Sequence, residues 1–188
     1  MISALAAGAK SGNREDHEKL VNHFRPRILK MMFCRTNSIM DAEDLTQEIF
    51  MQMSKNIAGL KDPGKFSSWL FSIAVNKVKD FQRKKRLRSF IMLTDSNPEP
   101  CEEVSDSQNV LEQVIKKEFW QQFQQLSQNL SKWEKEIFLL RFTDHMDIKQ
   151  IAEILNKNES TVKTHLYRAI KKFKSSARLR TLLKGGLS

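Results

Sequence analysis

Ser160, Thr164, Arg168 and Lys171 recur at intervals of four, four and three residues along the segment Glu159 to Phe173, with Thr161 and Lys163 beside them. In an α-helix that spacing gathers hydroxyls and cations on one face. Val162, Leu166, Ala169, Ile170 and Phe173 fall on the opposite, packing face. The polar face is suited to binding: hydroxyls and long cations reach base edges and phosphates in a groove. Asp147 to Leu155 reads as a short amphipathic helix and Asn156-Lys-Asn158 as a turn, so the whole is a helix-turn-helix. An αα-hairpin with a merely solvated basic face is the competing interpretation. Against it, Lys163 to Lys184 holds eight Lys or Arg and no Asp or Glu, whereas a solubilising face mixes signs.

Two further constellations carry charge. Asp41-Ala-Glu-Asp-Leu-Thr-Gln-Glu48 places four carboxylates in eight residues. Carboxylates at a helix start are stabilising in themselves. Paired carboxylates also suggest acid–base catalysis or a metal, but no partnered His and no phosphate-cradling Gly loop accompanies them, so neither catalysis nor a metal site is expected. Arg83-Lys-Lys-Arg-Leu-Arg88 sets five cations in six positions, downstream of Phe66-Ser-Ser-Trp-Leu-Phe71. Aromatics beside cations are the ingredients for holding an unstacked base and its phosphates. Spacing alone favours Trp69 as a core residue.

These faces need helices to carry them. The chain has 188 residues, with 32 Lys plus Arg against 22 Asp plus Glu. The net charge of +10 favours a polyanion partner. No apolar run approaches the ~18 residues of a membrane span. Met1 to Ala9 is apolar without a leading charge and reads as a short first helix, not a secretion signal. Cys34 and Cys101 form no metal-ligand pattern; Cys34 reads as a small buried apolar residue and Cys101 as an exposed thiol. The absence of a disulfide framework points to a reducing cytoplasm. No cofactor is implied.

The apolar periodicity is helical throughout. His17 to Cys34 reads as a helix with Leu20, Val21, Phe24, Ile28, Met31 and Met32 inward and a kink or junction at Pro26. Asp41 is expected to cap the next helix, with Asp44 in the capping-box position and Leu45, Ile49 and Met53 on one stripe, as far as about Ala58. Lys61 to Lys65 is a turn, and Phe66 to about Arg88 a helix with Trp69, Leu70, Ile73 and Ala74 apolar. Ser89 to Ile115 then contains no Lys or Arg, and Thr94 to Ser107 is acidic and Pro/Ser-bearing, the composition of a linker. Helical periodicity resumes near Val110 and continues, after a polar break at Ser127 to Ser131, with a helix from Lys132 to Phe142. The fold class expected is all-α, two small helical domains on a flexible acidic tether.

At this point the motifs carry a family resemblance. Asp41-Ala-Glu-Asp-Leu-Thr-Gln-Glu-Ile-Phe50 resembles conserved region two of bacterial sigma factors, and Phe66-Ser-Ser-Trp-Leu-Phe-Ser-Ile-Ala-Val-Asn76 with the basic run resembles the rest of that region. Ile151-Ala-Glu-Ile-Leu155 with Thr161-Val-Lys-Thr-His-Leu-Tyr-Arg168 resembles the region-four helix-turn-helix. Order, spacing and tether are similar to the extracytoplasmic-function, or group IV, sigma factors of the sigma-70 family. The resemblance covers roughly Gly12 to Phe173. It implies a first helix or extension at 1–12, a region-two domain at 13–92, a linker at 93–111, a region-four domain at 112–176 and a tail at 177–188.

What the resemblance implies can be stated by residue. Asp44, Leu45, Gln47, Glu48 and Met51 would dock on the largest subunit of core RNA polymerase. A loop around Phe66, Ser67 and Ser68 would pocket a flipped base of the minus-ten element, with Asn76, Lys79, Asp80, Arg83 and Lys84 facing bases and phosphates. Ser160, Thr161, Lys163, Thr164, His165, Arg168 and Lys171 would read the minus-thirty-five element. Glu159 departs from the smaller residue of many relatives, and either contacts a cytosine or caps the helix. His165 stands where Arg is common. The implied partners are core polymerase and promoter DNA, with an anti-sigma factor to be looked for, no small-molecule substrate and a monomeric free state. The competing function is a LuxR-like DNA-binding regulator, whose final helix looks similar but which has no need of the Asp44, Gln47 and Glu48 face.

Overall fold

The computed structural model describes residues 1–91 and 129–174. The described residues are helical, in two compact units, one on each side of the intervening segment. The expected linker, the helix near Val110, Cys101 and the 177–188 tail lie outside the described residues. No described helix is long and apolar enough to cross a membrane.

The first unit contains α1 (Ile2–Lys10), α2 (Arg14–Thr36), α3 (Ile39–Asn56) and α4 (Phe66–Ile91), with short 3₁₀ turns at Ile57–Gly59 and Pro63–Lys65. The apolar N-terminus is therefore a first helix. It packs on α2 through buried Ala6 and Ala9. Gly8 lies so close to the Asp16 carboxylate that a Cβ there would collide with it. α2 starts on Asn13, whose side chain accepts from the Asp16 backbone N–H. It runs on through exposed Pro26 as one helix and ends at Asn37, whose left-handed backbone (φ 57°) stops it. Leu20, Phe24, Ile28, Met31 and Met32 are buried as the periodicity predicts, while Val21 and Cys34 are half-buried.

The start of α3 differs from expectation. Ser38, not Asp41, is the N-cap: its hydroxyl accepts from the Asp41 N–H at 3.2 Å. A Ser cap contributes about 1 kcal/mol, and it leaves Asp41, in the first turn, to complement the helix dipole. Leu45, Ile49 and Met53 bury against α2 and α4. Asp62 turns the chain by accepting from the Gly64 N–H at 2.8 Å, and α4 follows at once. Phe24 of α2 meets Phe66 at 5.4 Å and Phe71 at 6.5 Å between ring centroids, fixing the first two turns of α4 on α2.

The second unit contains α5 (Lys132–Phe142), α6 (Ile148–Leu155) and α7 (Glu159–Lys174). Ser131 with Glu134 and Asp147 with Gln150 form reciprocal capping boxes at the starts of α5 and α6. Asn156 in the left-handed region (φ 50°, ψ 53°) ends α6, and Asn158 caps α7 by accepting from the Thr161 N–H at 2.9 Å. Phe138 of α5 stacks on Phe173 of α7 at 4.2 Å, in a core with Leu139 and Ala169.

Candidate nucleic-acid and partner-binding faces

In the second unit the two faces of α7 separate as the spacing requires. Val162, Ala169 and Phe173 are buried, and Leu166 and Ile170 are half-buried. Ser160, Lys163, Thr164, Arg168 and Lys171 are exposed and Thr161 is half-exposed. Glu159 does not cap; it pairs with Lys163 at 3.6 Å on the surface, a contact of well under 1 kcal/mol that a phosphate can displace. His165 is half-buried and its Nδ1 is enclosed without a hydrogen-bond partner, so any groove contact falls to its other nitrogen. Tyr167, 68 % exposed, shares the polar face by standing four residues from both Lys163 and Lys171. The same spacing could have found it in the sequence.

Three contacts hold this helix in place. Lys172, next to exposed Lys171, donates to Glu134 Oε2 at 2.7 Å and to the Asn129 carbonyl at 3.1 Å, tying the end of α7 to the start of α5. Burial pushes the Glu134 carboxyl upward, but Lys172 and the Ser131 backbone and hydroxyl outweigh it and hold the group below the ordinary glutamate range. Lys157, in the turn, lies 4.0 Å over the Trp133 ring, a cation–π contact worth about 0.5–2 kcal/mol. α7 and the turn before it are thus anchored on α5.

In the first unit α4 carries a polar stripe that widens into an exposed end from Arg83 onward. Asn76, Asp80, Arg83 and Lys84 are exposed; Ser68, Trp69, Ser72 and Lys79 are half-exposed. Ser72, four residues from both Ser68 and Asn76, belongs to the stripe and was missed by the motif, although spacing alone could have found it. Trp69 sits at its edge with its ring 5.9 Å from Phe66. Asp80 pairs with Arg83 at 3.3 Å. Phe66 requires a correction. It opens a helix, not a loop, and is fully buried, so its ring supports the surface from beneath and presents no face to a base. Ser67 and Ser68 are half-buried in the same first turn.

α3 carries the acidic face. Asp44, Gln47, Glu48 and Met51 stand close together along the helix and are all exposed, with Met40 at the upstream end; Met40 is 72 % and Met51 53 % exposed. Leu45 is buried on the packing side of α3, as its stripe with Ile49 and Met53 predicts, and lies behind the exposed face that the resemblance grouped it with. Glu48 accepts from Lys77 Nζ at 2.9 Å, bracing α3 against α4. This is a polar surface flanked by two flexible apolar side chains, a composition suited to a protein partner.

A helical unit with a nucleic-acid-type face and a partner-type face, followed by a helix-turn-helix unit, defines a DNA-binding transcription protein of two modules. Residues 20–88 match the model of sigma-70 region 2, and residues 120–173 that of sigma-70 region 4. The chain is 27 % identical over 172 residues to the ECF RNA polymerase sigma factor SigW of Bacillus subtilis, covering 89 % of this chain and 92 % of that one. It is 29 % identical to a probable RNA polymerase sigma factor of Haemophilus influenzae, covering 79 % and 83 %. In fold it resembles the sigma factor RpoE in its complex with the anti-sigma factor NepR from Bartonella quintana. The TM-score is 0.68, the identity 18 %, and the coverage 90 % and 98 %. The chain belongs to the sigma-70 family, as a sigma factor of the extracytoplasmic-function kind.

Proposed function

We propose that this chain is a promoter-specificity subunit of bacterial RNA polymerase: it binds core enzyme, recognises the minus-thirty-five and minus-ten elements and helps open the DNA. The proposed core-docking residues are Asp44, Gln47, Glu48 and Met51, with Leu45 behind them. Ser67, Ser68, Asn76, Lys79, Asp80, Arg83 and Lys84 hold the opened minus-ten strand, with Ser72 on the same stripe. Ser160, Thr161, Lys163, Thr164, Arg168 and Lys171 read the upstream duplex, joined by His165 and Tyr167. The proposed domains are residues 13–92 and 112–176, joined by 93–111. The protein itself performs no catalysis and acts in the cytoplasm, as a monomer until it meets polymerase. An anti-sigma factor is a further proposed partner, by likeness to the relative bound to NepR.

One observation carries the reading over that of a LuxR-like regulator. A protein with net charge +10 keeps an exposed acidic stripe, Asp44 to Met51, on the same unit as the α4 face. A regulator that only binds duplex DNA gains nothing from that stripe. The test is co-purification with core polymerase, followed by start-site mapping on genomic DNA. Transcription from a discrete set of sites, dependent on this chain, is expected. A chain that binds DNA without associating with core enzyme sinks the proposal.

A further inference from the structure

The cationic flank of α2 is not accounted for by the faces described above. From Lys19 to Met40 the sequence holds five Lys or Arg and no Asp or Glu. Lys19 pairs with Glu15 at 2.7 Å. Beyond it, His23, Arg27 and Lys30 follow at spacings of four and three, all exposed, on one side of the helix. The side is fixed by Arg27, whose guanidinium lies 5.1 Å over the ring of Phe71 in α4.

That contact orients the stripe relative to the face carrying Asn76. At about 100° per residue, Phe71 and Lys77 lie roughly 120° apart around α4, and Asn76 points away from both. Lys77 meets Glu48 of α3, and Phe71 meets Arg27 of α2. The Asn76 stripe is therefore bordered by α3 on one side and α2 on the other. The two borders differ in charge: on the α3 side Glu48 is matched by Lys77, whereas α2 offers Arg27 and Lys30. Ser68 and Lys79 fall between Phe71 and Asn76 on the wheel, on the α2 side. A polyanion lying along the stripe meets a matched ion pair on one flank and net positive charge on the other.

We infer that His23, Arg27 and Lys30 of α2 form a second phosphate track, which takes the backbone of the single DNA strand whose bases lie on the Ser68–Asn76–Arg83 face. From His23 to Lys30 the helix rises about 10 Å, room for two or three phosphates. The track supplies sequence-independent affinity and leaves base choice to α4. It rests on the promoter-opening role proposed above and adds to it a surface on another helix.

The test uses holoenzyme assembled from core polymerase and the full chain. The probe is a forked promoter fragment, duplex upstream and single non-template strand downstream, cut from a start site that the wild type uses. Affinity is measured across a salt series for the wild type, Lys30→Ala, Arg27→Gln and the double variant. Removing one phosphate interaction lowers the slope of log affinity against log salt by about 0.7 for a single strand. The double variant should lose about 1.4 in slope on the forked probe, twice that single-strand increment, and nothing on a fully duplex upstream fragment. Lys30 is exposed, so Lys30→Ala alone decides the matter if Arg27→Gln fails to fold. Unchanged slopes with a normally binding wild type overturn the track and leave the proposed function standing. Reduced affinity for core enzyme with an unchanged DNA slope assigns the stripe to a protein partner and also overturns it. A wild-type holoenzyme that neither binds the probe nor initiates on it removes the proposed function, and the track with it.

Discussion

α4 and α7 are both amphipathic helices with a polar stripe outward, yet the stripes are built differently. On α7 the exposed residues are hydroxyls and cations, with Tyr167 and the Lys163-paired Glu159 among them, and the helix is held at both ends by the Asn158 cap and the Lys172–Glu134 contact. On α4 the stripe mixes Ser, Asn, Asp and Arg, with the edge of Trp69 beside it and a cationic end at Arg83 to Arg86. An anchored helix with a narrow cationic face suits a duplex, whose groove and phosphates are regularly placed. Amide, hydroxyl and aromatic groups over a deep core suit an irregular single strand, whose unstacked bases need both hydrogen bonds and a ring to lie on. In the proposed roles, residue type more than helical geometry separates the groove reader from the strand holder.

The assignment of α4 as strand holder is most exposed at its core. Phe66→Ala should destabilise the first unit by about 3–5 kcal/mol, as for other buried aromatics, because its ring fills the space against Phe24 and Trp69. Denaturant unfolding reads this directly. A fully stable variant with impaired strand binding would restore Phe66 as a base contact.

The anchoring of α7 has a pH signature. Glu134 is held below its ordinary range in the folded state, so its contribution is complete above the unfolded value and is lost as pH falls through the lower, folded one. Glu134→Gln should cost about 1.5–3 kcal/mol near neutrality and flatten the acid limb of thermal stability against pH. An acid limb unchanged by the substitution would release α7 from the Lys172 contact.

Polymerase docking should respond more weakly, since the carboxylates are exposed. Asp44→Ala with Glu48→Ala is expected to weaken core binding by about 1–2 kcal/mol while circular dichroism stays helical. Competition against the wild type measures it, and equal affinity in a folded double variant would take the face out of the interface. The smallest effect expected is on α7. Arg168→Ala or Lys171→Ala should lower the salt slope of upstream duplex binding by about one each, without changing sequence preference, whereas Thr164 or Lys163 substitutions should change preference. Uniform losses at all four positions would remove base readout from this helix.

Much of this was legible in the sequence, because each stripe repeats at three or four residues. The two faces of α7, the turn at Asn156 and the burial of Leu20, Phe24, Ile49 and Leu70 follow from spacing. Leu45 sits inside the acidic motif, and its burial follows from the stripe it shares with Ile49 and Met53; only the motif resemblance set it among the docking residues. What was not legible turned on tertiary contacts. Phe66 follows the Asp62 turn, and only the position of Phe24 decides that its ring points inward. Ser38 outcompeted Asp41 as cap because the left-handed Asn37 ends α2 immediately before it, so the chain turns earlier than the acidic run suggests. The Arg27–Phe71 contact joins residues far apart in sequence, and no local pattern announces it.

Capture of an opened strand by the α4 face is the part of the proposed function that would distinguish this protein from a reader of duplex DNA. Permanganate reactivity of unpaired thymines at a mapped start site tests it, with holoenzymes carrying the wild-type chain or Asn76→Ala and core affinity measured in parallel. Loss of one base interaction worth about 1–2 kcal/mol predicts roughly tenfold weaker opening by Asn76→Ala, with core binding unchanged. Opening at the wild-type level by the Asn76→Ala holoenzyme would contradict strand capture by this face.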